Sequence, residues 1–121
     1  MRILLDANVP HDLRPYLRNH DTFTAAYMGW ASLKSGALLS AAEAGGFEVL
    51  LTRDKTLHHE QNMEGRKIAL VLLSAVSWPV IEAHVETIVA AVDGAVPGSF
   101  TRLECGVFVR PKRKPKGLDL G

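Results

Sequence analysis

Two aspartates in this 121-residue sequence stand at the ends of strand-like runs. Asp6 follows Ile3-Leu4-Leu5 directly, and Asp54 follows Val49-Leu50-Leu51-Thr52 after Arg53. Two carboxylates held close repel unless one is protonated or a cation lies between them. A hard divalent ion with oxygen ligands, Mg²⁺ or Mn²⁺, suits such a pair. Such an ion activates water and stabilises charge on a phosphoryl group. Either aspartate can equally be a helix cap or a turn residue. The five histidines offer no zinc spacing. His58 and His59 are adjacent and face different ways, His11, His20 and His84 are scattered, and all five read as surface residues. Cys105 is the only cysteine and reads as a small core residue. Trp30 and Trp78 can stack on bases, though packing is the simpler reading. No glycine-rich phosphate loop or nucleophile elbow is present.

The elements that must position these aspartates alternate between strand and helix. Residues 3–5, 49–51 and 68–73 are apolar without polar alternation, the pattern of strands buried on both faces. Thr22-Phe-Thr-Ala reads as a further strand, and residues 99–104 as a fifth, with Phe100 or Leu103 inward. Residues 106–109 extend that strand or form an edge strand. Pro10 suits the first turn of a helix that runs to Arg18 with Leu13, Tyr16 and Leu17 on one face. Ser35 can cap a second helix whose apolar face holds Leu38, Ala41 and Ala42, ended by Gly45-Gly46. A third opens at Ser77 and carries Ile81, Val85, Ile88 and Val92 as one stripe, closed by Asp93-Gly94. This order predicts an α/β fold: a mainly parallel sheet of four or five strands with helices on both faces. Ligands in such sheets sit beyond the C-terminal strand ends, where Asp6 and Asp54 emerge.

Composition narrows the class. Hydrophobic residues make up 47% and charged residues 22%, which suits a single globular domain and argues against disorder of its body. The uncharged run from Ile68 to Ile81 is 14 residues long and contains Pro79; a membrane span needs about 20. The opening residues lack a signal-peptide pattern, and one cysteine suits a reducing compartment, so a cytoplasmic location is expected. Charge is uneven. Residues 110–121 hold five basic residues against Asp119, a net +4, whereas the remaining 109 carry a net −3. The expected organisation is therefore a domain over residues 1–109 and a flexible basic tail over 110–121, either a phosphate-binding arm or a solubilising end.

Several motifs resemble, in order and spacing, a family of small bacterial PIN-like proteins. They are Met1-Arg-Ile-Leu-Leu-Asp-Ala-Asn-Val-Pro10, Gly29-Trp30-Ala31 with Leu33-Lys34-Ser35-Gly36, Ala42-Glu43-Ala44-Gly45-Gly46-Phe47, Leu50-Leu51-Thr52-Arg53-Asp54-Lys55, Gln61-Asn62 and Gly65-Arg66-Lys67-Ile68-Ala69. The resemblance spans roughly residues 1–93. It implies a three-layer α/β/α PIN-like fold and a Mg²⁺- or Mn²⁺-dependent endoribonuclease, the toxin of a toxin–antitoxin system. Asp6 and Asp54 match the family's metal-binding aspartates and would be catalytic. Asn8, Gln61 and Asn62 match its polar positions. Ser74 and Ser77 match more loosely a further acidic or polar position. The sequence departs from the family at Ala7, usually acidic, and at Ala37, usually glutamate.

On this reading the implied partners are RNA, an antitoxin protein and a second copy of the chain. Arg53 and Lys55 would join Asn8, Gln61 and Asn62 in holding substrate. The alternative is a catalytically inactive PIN-like module that binds a protein or nucleic-acid partner, which the loss of the glutamate at Ala37 favours. A receiver-like domain also places aspartates after its first and third strands. It needs an acidic pair after strand one and a lysine after strand five, and here Leu5 and Ala7 flank Asp6 and no lysine follows Glu104 until Lys112. The tail generates one prediction. Deleting residues 111–121 leaves the melting temperature nearly unchanged. If the tail grips RNA, the deletion also lowers the salt slope of RNA binding by roughly 0.7 per lost phosphate contact; equal slopes would make it a solubilising end.

Overall fold

Strands that are apolar on both faces need two layers of cover. The computed structural model describes residues 1–54, 63, 65–74 and 77–103. Strands β1 (Arg2–Leu5), β2 (Asp21–Thr24), β3 (Val49–Thr52), β4 (Ala69–Leu73) and β5 (Phe100–Leu103) form one sheet in the order β2-β1-β3-β4-β5. Every neighbouring pair is parallel. A 3-10 helix (His11–Leu17) joins β1 to β2, and α1 (Ser35–Ala44) lies between β2 and β3. Helices α2 (Trp78–Glu82) and α3 (Val85–Asp93) lie between β4 and β5. Residues 104–121, which include Cys105, the 106–109 segment and the basic tail, lie outside the described residues. Among the described residues no helix is long and apolar enough to cross a membrane.

The strand period of two divides the core. Ile3, Leu5, Val49, Leu51, Val71 and Leu73 face the 3-10 helix and α2–α3, meeting Leu13, Leu17, Ile81, Val85, Ile88 and Val92. Leu4, Leu50 and Leu70 point the other way and meet Leu38, Leu39, Ala42 and Phe47. Parallel register sets Leu4 beside Leu50 and Leu50 beside Leu70. Each fully buried leucine contributes roughly 1.5–3 kcal/mol, so the lines of apolar side chains pin the register. On β5, Phe100 packs against the second cluster and Leu103 against the first. Both are therefore turned inward, on opposite faces of the sheet.

One connection runs against the usual hand. The chain moves from β1 to β2 over one face, then from β2 to β3 in the opposite direction over the other face, and both moves share one hand. From β4 to β5 it moves in the same direction as from β2 to β3, yet α2–α3 covers the first face. This crossover therefore has the opposite hand to the others, an uncommon arrangement. Coverage explains it. The short 3-10 helix supplies only Leu13 and Leu17 as buried residues, which leaves Val71 and Leu73 needing the stripe on α2–α3.

Three local expectations change. The segment after Pro10 is a 3-10 helix with Pro15 inside it. Pro15 lacks the N–H that α-helical bonding needs, and Tyr16 falls on the exposed side. Lys34, not Ser35, occupies the N-cap of α1, and the buried face of α1 contains Leu39 while Ala41 is half-buried. The helix expected from Ser77 to Asp93 is broken at Ala83-His84, where the His84 N–H donates to the Ile81 carbonyl at 2.9 Å. The stripe nevertheless survives the break, because Ile81, Val85, Ile88 and Val92 are all buried on one side.

Two ties close the ends of the sheet. The Arg2 guanidinium lies 4.9 Å from the Phe23 ring centre and 4.5 Å from that of Phe47, an arrangement that favours a cation between aromatic faces. Glu43 on α1 accepts hydrogen bonds from the Arg66 guanidinium and the Lys67 N–H. Partial burial pulls the Glu43 carboxyl upward, but the Lys67 N–H and the Arg66 hydrogen bond and charge outweigh it and hold its pKa below the usual range.

Gly29 and Gly98 both have φ of +78°, yet they differ in space. A Cβ on Gly29 meets nothing within 4 Å, whereas on Gly98 it would lie 2.8 Å from the Arg66 carbonyl oxygen. Gly29→Ala should cost about 1–2 kcal/mol from backbone conformation alone. Gly98→Ala should cost about 1–3 kcal/mol more, because backbone must move. Urea unfolding of the two variants measures the difference, and equal losses would contradict the close approach.

Candidate functional site

The chain leaves β1 toward β2 and leaves β3 toward β4, so the connections diverge at the C-terminal ends of β1 and β3. Such a switch point opens a crevice. Residues Asp6, Ala7 and Asn8 enter it from β1, and Thr52, Arg53 and Asp54 from β3. The Asp6 N–H donates to the Leu51 carbonyl at 2.9 Å, continuing the ladder one residue past β1.

One hydroxyl joins the two sides. Thr52 is fully buried, and its Oγ1 donates to Asp6 Oδ2 at 2.7 Å. The same oxygen accepts the Asp54 N–H at 3.0 Å. Asp6 Oδ1 accepts the Ala7 N–H at 2.7 Å. The Asp6 carboxylate is thus held at both oxygens. A second tie lies beside it. The Arg53 N–H donates to Asn8 Oδ1 at 3.1 Å, and Arg53 Nη1 donates to the Asn8 carbonyl at 2.6 Å. Arg53 is only half-exposed, and its Nε is buried without a hydrogen-bond partner among the described residues.

The structure places Asp6 and Asp54 at the same end of the sheet, where the Asp6 carboxylate and the Asp54 backbone N–H share the Thr52 hydroxyl. It also brings Asn8 and Arg53 together, but as partners of each other. Lys55, Gln61 and Asn62 lie outside the described residues. Ser74 follows β4 on the same edge, and its N–H donates to the Leu103 carbonyl at 3.1 Å. Ala37 is exposed on the first turn of α1, a turn that holds no acidic residue. Among the described residues no group of three or more His, Cys, Asp and Glu side chains is placed to hold a metal. Among the described residues the donors at this edge are carboxylate, hydroxyl and amide oxygens, a hard set.

Sequence reasoning passed over Thr52. Its signal was a hydroxyl residue closing an otherwise apolar strand immediately before Arg53-Asp54. His20 is a correction. It was expected at the surface, but its side chain is only 13% exposed and its Nε2 lies 2.6 Å from Asp93 Oδ1. The two tryptophans pack. Trp30 meets Phe47 edge to face at 6.0 Å, and Trp78 lies 5.9 Å from the Tyr16 ring.

Compared with known proteins, the chain matches no family model, no curated protein and no solved structure.

Thr52→Val keeps the shape of the side chain but removes its donor and acceptor. It leaves the Asp54 N–H and Asp6 Oδ2 without their partner, which should cost about 1–3 kcal/mol. Thr52→Ser retains the hydroxyl and should lose only about 1 kcal/mol for the missing methyl. Urea denaturation checks both; a valine variant as stable as the serine one would show that the bridge carries little.

Proposed function

We propose that this chain is a PIN-like, metal-dependent endoribonuclease and the toxin of a toxin–antitoxin pair. Asp6 and Asp54 hold Mg²⁺ or Mn²⁺. One observation carries the reading: Asp6 and the backbone of Asp54 meet on the Thr52 hydroxyl in the switch-point crevice. The toxin assignment is supported by the resemblance of the opening residues and of the Thr52-Arg53-Asp54 segment to small PIN-like proteins. The reading gives the chain RNA as substrate, an antitoxin protein as partner and a cytoplasmic location.

The oxygen donors of the described residues fit a hard cation, and Mg²⁺ binds through as few as one or two carboxylates while keeping several waters. When bound, the ion supplies a water of lowered pKa and charge stabilisation at the phosphoryl oxygens. The chain's own residues do the positioning. Thr52 and the Ala7 N–H fix the Asp6 carboxylate in one orientation. Arg53 is anchored on Asn8, which locks the loop after β1 to the loop after β3 and sets a positive charge between Thr52 and Asp54.

The exposed Ala37 favours a second reading, a PIN-like module without activity that binds a protein or nucleic-acid partner. The same experiment separates the two. A carboxylate in the first turn of α1 is favoured by the helix dipole by roughly 0.3–1 kcal/mol, so Ala37→Glu should fold. Calorimetric titration with Mn²⁺ should show tighter binding by Ala37→Glu than by the parent, and adding Asp6→Asn should abolish the gain. Cleavage of single-stranded RNA with Mn²⁺ should follow the same order. Should Ala37→Glu bind Mn²⁺ no better and the parent cleave nothing, the binding-module reading would take its place.

A further inference from the structure

At the end of the sheet opposite the crevice, roughly 13 Å away by the rise of a four-residue strand, lies a hollow of about 320 Å³. Arg14, Pro15, Arg18, His20 and Thr22 line it. Its walls are tied in place. The Thr22 hydroxyl donates to the Leu17 carbonyl at 3.2 Å, and the His20 N–H reaches the same carbonyl at 2.9 Å. The His20 ring is held by Asp93 on α3. A carboxylate only accepts, so the Nε2 of His20 carries the proton. Pro15 fixes the backbone between the two arginines.

Arg14 and Arg18 are both exposed, and among the described residues neither makes an ion pair or hydrogen bond. Asp12 and Asp21 lie nearby in sequence but pair with neither. Asp93, behind His20, is engaged by the His20 ring. Two arginines thus line one concavity, and no carboxylate of the described residues pairs with either. A helix C-terminus favours cations, which accounts for their presence on this helix but not for the open hollow that both of them line. A guanidinium is a planar fork that matches the oxygens of a phosphate two at a time. A phosphate group has enough acceptor oxygens for both forks and the charge to relieve both.

We propose that this hollow is an anion site in which Arg14 and Arg18 clamp a phosphate group. The phosphate comes either from a free phosphate or monoester or from the backbone of single-stranded RNA. The site stands apart from the crevice and does not depend on its chemistry.

Titration of the full chain with inorganic phosphate, followed through the arginine side-chain N–H signals, tests the clamp. Saturable shifts are expected at Arg14 and Arg18. In Arg14→Gln/Arg18→Gln the affinity should fall at least about tenfold, as expected for losing charge-assisted bidentate contacts. The charge-matched control Lys34→Gln/Lys67→Gln should bind like the parent. A second arm measures the salt dependence of single-stranded RNA binding in an Asp6→Asn background, with and without the arginine changes. A slope lowered by about 1.4, for two lost contacts, would make RNA the source of the phosphate. Phosphate binding with an unchanged RNA slope would make it a free phosphate or monoester. An absence of saturable shifts in the parent, or equal losses in the arginine and lysine variants, would overturn the proposal.

Discussion

A hydroxyl has one proton to give and two lone pairs to share, and Thr52 uses its proton on Asp6 and a lone pair on the Asp54 N–H. The group is fully buried. Left unpaired there it would cost about 1–3 kcal/mol. Burial therefore makes the bridge obligatory, and the bridge fixes where both aspartates stand. Beside it, the segments after β1 and β3 are tied by the Asp6 N–H on the Leu51 carbonyl and by Arg53 on Asn8.

That burial depends in turn on the sheet. β3 is flanked by β1 and β4, and all four of its residues are buried. A strand in this position needs cover on both faces, and the two faces are filled by different means. One has α1 and Phe47. The other has a 3-10 helix too short to cover it, completed by α2–α3 arriving through a crossover of the uncommon hand. The apolar side chains outweigh the connection rule, because a bare patch over Val71 and Leu73 would cost more than an unusual path through solvent.

The polar groups are segregated along the strand axis. At the C-terminal ends of the strands the Asp6 carboxylate and the Asp54 backbone meet on a buried hydroxyl. Beside the opposite end, arginines border a hollow, and Arg2 lies between Phe23 and Phe47. A parallel sheet makes such separation simple, since every strand presents the same end on the same side. The acidic residues Asp6 and Asp54 and the basic residues Arg14 and Arg18 therefore stand at opposite ends of the strands.

Much of this was legible in the residues alone. Strands such as Leu4-Leu5 and Val49-Leu50-Leu51 show no polar alternation, and only a sheet covered on both faces satisfies them. The placement of Asp6 and Asp54 at one edge follows, because both close apolar strands that run in parallel. The stripe of Ile81, Val85, Ile88 and Val92 marked the buried side of a helix, although the break at Ala83-His84 left no trace in that spacing. What the chain could not reveal by itself are relations between residues distant in sequence. Thr52 read as a strand end, and only pairing beside β1 made it a bridge to a carboxylate 46 residues away. His20 read as a surface residue until α3 folded over it and brought Asp93, 73 residues on, to its ring. Local composition determines which segments must be buried. Which polar groups then meet is decided by the order of strands in the sheet, because hydrogen bonds act over about 3 Å and carry no periodicity along the chain.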